Sequence, residues 1–499
     1  MENAMNLCFC RLWWLSVLLS LPATCANSGA SPSPRPSVPV RQGTLILGSR
    51  ILDDAYMGCG VQWDPYDVHG DGGRLSAADR IRLEKRLDYL SPRIIRVMVS
   101  IGSYLTDGRF DPASDMEDLH MILGYCTGRS IPVVFGDWGG GFVDVAAKTV
   151  DENRMEQSAK LVRYLLEDCG YTCIRYFNMV NEPNGSWSST QGDCDLWVRA
   201  ARAMHASLRR CGLGDRVTLV GPDAAVWTTA ETHWVSRTAD ELGDAVGLYD
   251  IHTYPSKAEI NAGEYGEMIA AYRAAAPAER RMIMGEIGIK FIDERDAAYA
   301  AENERRAARC PYASPADSQM SVFDHMYGTD MADAIMQTAA NGYSGCIVWM
   351  LDDAMHVNEP GRLKIWGFWN ILGEERYGAS AERIRPWYYA VALLSRYFPA
   401  GSQILESTVR GVPGVRTMWG RSDGKPTLAI VNTNRDRAVE LTLEGADSSL
   451  AGLDRYLYAE GGLKLDEERL LPVDERIALH SGDRIRIDPG SMVVYTALE

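Results

Sequence analysis

Two apolar runs far apart in the chain each end in a glutamate. The run from Ile174 closes with Asn181-Glu182-Pro183, and the run from Met282 closes with Gly285-Glu286-Ile287-Gly288. Two carboxyl groups facing one another can cleave an acetal. One protonates the leaving oxygen while the other attacks the anomeric carbon, the two groups standing about 5 Å apart when the configuration is retained. Pro183 keeps Glu182 out of the right-handed helical region and turns the chain there. Neither stretch decides anything alone. At roughly 5% usage per residue, Asn-Glu-Pro turns up by chance in a few per cent of chains of this length, and a Glu after an apolar run is ordinarily a solvated loop residue. Both together, at the ends of two counted runs, make the signal.

The elements that must position them read as alternating strands and helices. Strand-like runs cover Tyr56–Trp63, Arg93–Ser100, Ile131–Trp138, Ile174–Asn181, Val217–Asp223, Gly247–Tyr254, Met282–Ile287 and Gly345–Leu351. Amphipathic stretches such as 77–90, 153–168, 196–210 and 265–275 lie between them. Eight βα units in the segment 43–398 predict a (β/α)8 barrel, whose active site sits at the C-terminal ends of its strands. A doubly wound open sheet is the alternative, but Gly58-Cys59-Gly60 lies within a run and does not open a helix. The glutamates then end strands four and seven. After Pro399 short alternating runs predict an all-β sandwich over 399–499, which Thr44–Leu47 could join. The stretch Lys290–Phe323 is a long insertion.

These positions resemble clan A of the glycoside hydrolases, barrels with their catalytic carboxylates on strands four and seven. With its added sandwich the chain is similar to members near families 5, 30, 39 and 51 and related β-glucanase families. The resemblance implies Glu182 as acid/base and Glu286 as nucleophile, with no cofactor. It implies that Asn181 binds the sugar 2-hydroxyl and Arg96 supports the nucleophile. His252 and Tyr254 then face the cleft, Tyr254 hydrogen-bonds Glu286, and Trp349 floors the reactive subsite. Each has a structural alternative: an ion-pair partner for Arg96, a satisfied rim histidine for His252, core packing for Trp349. Trp63, Asp64, Asp137 and Trp138 also end strands, and for them contact with sugar and a structural role weigh equally. The roles require Glu182 to have a raised pKa and Glu286 to stay ionised beside Arg96 and Tyr254. Asp352, Asp353, His356 and Glu359 form a polar loop without metal-ligand spacing.

The net charge of −16 gives no electrostatic reason to seek nucleic acid or anionic lipid. Residues 12–21 form an apolar run before Thr24-Cys25-Ala26, which reads as a secretory signal (1–26) followed by a Ser/Pro-rich linker (27–42). The expected location is therefore secreted, periplasmic or at the cell surface. The residues before Cys25 fit a lipoprotein signal poorly. No run is long enough for a membrane span. The cysteines form no CxxC pair, so a zinc site is not expected, and their pairing cannot be read. The expected partner is a carbohydrate. Trp187, Trp227, Trp234, Trp366 and Trp369 favour stacking on pyranose faces, with a β-glucan-like substrate first in line. A non-catalytic carbohydrate-binding barrel and a metal-dependent hydrolase on the same fold remain open alternatives. Retained carboxylates argue against the first, and the lack of His pairs at the strand ends argues against the second.

Overall fold

Eight short strands close into a parallel barrel in the computed structural model, which describes residues 39–66, 74–359, 361–445 and 450–499 (backbone only at 358 and 359). In order they are Gly58–Gln62, Ile95–Val99, Val133–Asp137, Ile174–Asn178, Thr218–Ala225, Val246–Thr253, Met282–Ile287 and Gly345–Val348. Each is bonded to the next, and the eighth returns to the first. Every expected run overlaps one of them. Several are shorter than read, because the last residues of the run leave the ladder to line the barrel mouth.

The two-residue period of a strand sorts the side chains. Ile94, Val134, Val220, Leu248, Ile283 and Ile347 point inward and fill the lower barrel as one apolar cluster with Met57. Two residues further on, the inward positions turn polar. Ile94 is followed by Arg96, and Leu248 by Asp250 and then His252, all buried. The apolar plug is thus the floor beneath a charged layer at the C-terminal mouth. Outside, the helices are set by their own caps. Ser76 and Asp79 form a capping box for Ala77–Leu90, and the Asp193 side chain accepts from the Leu196 amide at the start of Cys194–Arg210.

A separate nine-stranded sheet carries the C-terminal segment. Its strands are Val40–Tyr56, Ser402–Arg410, Val415–Ser422, Lys425–Asn432, Ala438–Glu444, Leu453–Tyr458, Asp474–Ile477, Arg484–Ile487 and Ser491–Thr496. The edge strand Arg484–Ile487 packs against Lys425–Asn432, although the two are not neighbours in the ladder. The sheet therefore folds over as a sandwich around Leu45, Leu428, Ile430, Leu441, Leu443, Ile485 and Val493. Val40–Tyr56 lies inside it, antiparallel to Ser402–Arg410 and parallel to Ala438–Glu444.

One expectation changes. Val40–Gln42 were read as the end of the linker, yet they pair with Ala438–Glu440, because the parallel partner satisfies their backbone. The insertion Lys290–Phe323 contains a helix, Ala297–Arg309. The expected signal segment and the linker up to residue 38 lie outside the described residues. No described helix is long and apolar enough to cross a membrane. The eight cysteines from Cys59 to Cys346 are unbridged.

Candidate active site

Glu286 is buried near the end of the seventh strand. Arg96 Nη1 donates to its Oε2 at 3.0 Å, and the Tyr254 hydroxyl donates to its Oε1. Arg96 is clamped in turn. It donates to Gln62 Oε1 at 2.9 Å, to Asn181 Oδ1 at 2.7 Å and to Asp223 Oδ2 at 3.2 Å. A planar guanidinium engaged on several sides and sealed from solvent holds one orientation, and so fixes Glu286.

Glu182 sits beyond the fourth strand with φ at +50°. Pro183 was expected to keep it out of the right-handed helical region, and it takes the left-handed one. That conformation costs an L-residue roughly 1–2 kcal/mol. It lets the Glu182 amide donate to Asp223 Oδ2 at 3.2 Å while the side chain turns into the mouth. There Oε2 accepts from Trp187 Nε1 at 2.8 Å, and Oε1 faces His252 Nδ1 at 3.3 Å.

His252 is the electrostatic centre. Its Nε2 lies 2.9 Å from Asp223 Oδ1, and its Nδ1 lies 3.7 Å from Glu286 Oε2. Burial works against an imidazolium, but Asp223 and Glu286 outweigh it and hold the pKa well above the ordinary histidine value. Asp223 shows the mirror effect: burial pushes its carboxyl up, yet His252 and Arg96 hold it far below the usual range. Oxygens of Glu182 and Glu286 lie within 4.8 Å of one another, with His252 between them.

The two glutamates do not have the pKa directions that their expected roles suggest. At Glu182 burial pushes upward, but the His252 contact and the Trp187 hydrogen bond leave the carboxyl below its ordinary value. At Glu286 burial dominates over His252 and Arg96 and leaves it raised. The physical reason is His252, which donates towards the more exposed of the pair. Glu182, His252 and Glu286 are spaced closely enough to receive a cation. Arg96 and the imidazolium already place two positive charges against these oxygens, so the donor set does not favour one.

The carboxylates open into a cavity of about 480 Å³. Trp349 and Trp138 stand edge to face in its wall at 6.2 Å, and His356 packs on both. Tyr254 and Trp366 also line it, their rings 5.5 Å apart.

No family model and no curated protein matches the chain. Solved structures do. A family 30 endoxylanase from Clostridium papyrosolvens aligns with a TM-score of 0.59 at 12% identity, over 91% of this chain and 100% of its own. A family 39 β-xylosidase from Caulobacter crescentus gives 0.56 at 12%, over 92% and 100%. An endo-β-1,6-glucanase gives 0.60 at 14%, over 91% and 95%. The chain shares their fold. That likeness is one of fold, and it takes in both barrel and sandwich.

Of the expected site residues, the fold brings Glu182, Glu286, Asn181, Arg96, His252, Tyr254, Trp349 and Trp138 to one place. Two stand apart. Trp63 is fully buried and packs edge-on against Tyr125, because the alternation that turns Gln62 inward turns its neighbour outward into the helical layer. Asp137 faces away from the cavity and pairs with Arg154 at 3.2 Å; burial pushes its pKa up to about 6. Asp64 accepts from Gln62 and from the Met98 amide and pairs with His356 at 2.8 Å, so it supports the wall from behind. In the loop after strand eight, His356 lines the cavity, whereas Asp352 and Asp353 are structural. Asp352 accepts from Tyr66 and Trp369, and Asp353 pairs with Arg385. The Glu359 side chain lies outside the described residues. Trp369 and Trp234 are buried, whereas Trp187 and Trp227 are exposed and 6.1 Å apart. Asp223, the residue that charges His252, ended the fifth run in the sequence without being singled out. Lys290, Asp317 and Lys364 also line the cavity or its wall, and they come from the insertion and the last loop.

Proposed function

We propose that the protein is a retaining glycoside hydrolase for β-linked pyranosides, with Glu286 as nucleophile and Glu182 as acid/base. The observation that carries this reading is that one oxygen of Glu182 lies within 4.8 Å of one of Glu286. That approach suits the close pair of a retaining enzyme better than the wider pair between which an inverting enzyme places a water. The roles follow from what holds each group. Arg96 and Tyr254 fix Glu286 against the sugar and stabilise the carboxylate as a leaving group in the second step. Glu182 stands at the rim, where a leaving oxygen and later a water have access.

The empty-site pKa directions fit this scheme once the sugar is considered. The side chain of Glu182 is 14% exposed and that of Glu286 7%. A bound sugar removes more water from Glu182 and so raises its pKa the more. The two carboxyls titrate as a pair, and one proton between them suffices to start the reaction. Glu182 then protonates the leaving oxygen as Glu286 forms the glycosyl–enzyme bond. Water, deprotonated by Glu182, releases the sugar. Trp349, Trp138 and Trp366 suit pyranose faces. Of the tryptophans that had favoured a β-glucan, Trp234 and Trp369 are buried away from the cavity, so they lend that substrate no support.

The first-formed product decides the stereochemistry. With a β-linked substrate, NMR during the opening turnovers should show the β anomer before mutarotation. An initial α product would overturn the double displacement.

A further inference from the structure

Resting on the glycoside hydrolase reading above, we propose that the sugar bound beside Tyr254 carries an anionic substituent, held by Lys290. Lys290 follows Glu286 by four residues and lines the same cavity. Its position is fixed from several sides. The Lys290 amide donates to the Pro255 carbonyl at 3.2 Å, which ties the exit of strand seven to the loop that carries Tyr254. Gly288 packs so closely that a Cβ there would meet Tyr254 at 2.8 Å and Trp366 at 3.0 Å. The ammonium stands 4.4 Å from the centre of the Tyr254 ring and 5.8 Å from that of Trp366. Tyr254 is the residue that donates to Glu286. Lys290 is therefore a cation held on two aromatic faces, one of them the ring of the tyrosine that contacts the reacting carboxylate.

Asp317 is near enough to feel the charge of Lys290 but pairs with Lys364 instead, at 2.8 Å, and accepts from Trp366 Nε1 at 3.1 Å. Among the described residues no carboxylate oxygen comes within 4 Å of the Lys290 ammonium. The wall made by Lys290, Lys364 and Asp317 thus has one positive charge in excess, on a chain whose net charge is −16. Ring faces attract an ammonium but do not neutralise it. A sugar that fills the cavity strips water from Lys290, and a neutral sugar leaves that charge unpaired. A carboxylate or sulfate on the sugar pairs with it. Sites that pair a charge reject the analogue lacking it far more strongly than apolar pockets reject a missing methylene. The chemistry shared by the two sources is a single negative group on the pyranose: the C6 carboxylate of a uronic acid or a sulfate ester.

The test compares kcat/KM for an aryl β-glucuronide, its methyl ester, the aryl β-glucoside and its 6-sulfate, alongside β-linked glucuronan and β-glucan. The wild-type enzyme should prefer the charged member of each pair by tenfold or more. Lys290→Met should reduce the charged-to-neutral ratio at least tenfold, and Lys290→Arg should restore part of it. A preference confined to the glucuronide or to the sulfate identifies the source. Added salt should weaken the preference in wild type and not in Lys290→Met. If the uronide and its methyl ester are cleaved equally well, or if Lys290→Met leaves the ratio unchanged, the inference is wrong while the hydrolase reading stands. If no glycoside, charged or neutral, is cleaved, both fall.

Discussion

Each glutamate is held by different neighbours, and the two should therefore fail differently. Glu286→Ala removes the nucleophile, so every substrate should turn over very poorly. Azide can enter the space left by the carboxylate and attack the opposite face of the sugar, giving an α-glycosyl azide. Glu182→Ala removes only proton transfer, which is typically worth about 10²–10⁴-fold. Dinitrophenyl glycosides need little protonation and should still load Glu286, after which azide gives the β-glycosyl azide. Product analysis separates the outcomes, and exchanged azide products would reverse the assigned roles. Trp187 acts on Glu182 alone, through the hydrogen bond from Nε1. That bond favours the carboxylate and is one cause of the lowered pKa. Trp187→Phe keeps the ring and deletes the donor, so the pKa of Glu182 rises. The protonated acid then persists to higher pH, and the basic limb of the kcat/KM profile should move upward. A basic limb that stays fixed or moves down would deny Trp187 this positioning role.

The strand ends show why so much of the site was legible and where legibility stopped. Ile94, Arg96, Leu248, Asp250 and His252 fall on one face of their strands by simple alternation, so counting in twos reaches the mouth from the plug. Trp63 broke the reading because the same alternation turns it out of the barrel, and a single position of register decides between sugar and helix. Lys290, Asp317 and Lys364 were invisible because no period governs loops; only the folded insertion brings them together. Val40–Tyr56 was seen only at Thr44–Leu47, since Gly48-Ser49-Arg50 and Asp53-Asp54 interrupt its pattern where the register with Ser402–Arg410 shifts. The end of strand seven offers a test at this scale. Gly288 leaves no space for a side chain beside Tyr254 and Trp366. Gly288→Ala should push Tyr254 off Glu286 and lower kcat by tenfold or more, with a much smaller loss of stability. Unchanged kcat in a folded Gly288→Ala enzyme would show that the Tyr254 hydroxyl is not needed where the structure places it.

At the scale of the whole molecule, the chain visits the sheet before it builds the barrel and returns to the sheet afterwards. Val40–Tyr56 is hydrogen-bonded on both sides within the sheet, and only then does Gly58–Gln62 open the barrel. Removing everything after residue 398 leaves both edges of that strand bare, so a 43–398 fragment should be insoluble or markedly destabilised. Asp330 joins the same parts through side chains. It lies on the helix His325–Ala340 and is almost fully buried. It accepts from Arg435 on a sheet loop at 3.0 Å and from Lys257 on a barrel loop at 3.2 Å. Asp330→Ala leaves two cations facing each other at the seam. Removing one partner of a buried ion pair costs about 3–5 kcal/mol. The lower end applies here, because the Arg435 side chain is 32% exposed and can recover some water. Asp330 lines no part of the cavity, so the folded variant should keep its kcat while urea unfolding shifts by about 3 kcal/mol in a single transition. Fluorescence and circular dichroism should trace the same curve, since Val40–Tyr56 cannot leave the sheet without exposing the first strand of the barrel. Two resolved transitions, with the sheet melting first and activity surviving its loss, would show that the barrel stands without its strand in the sheet.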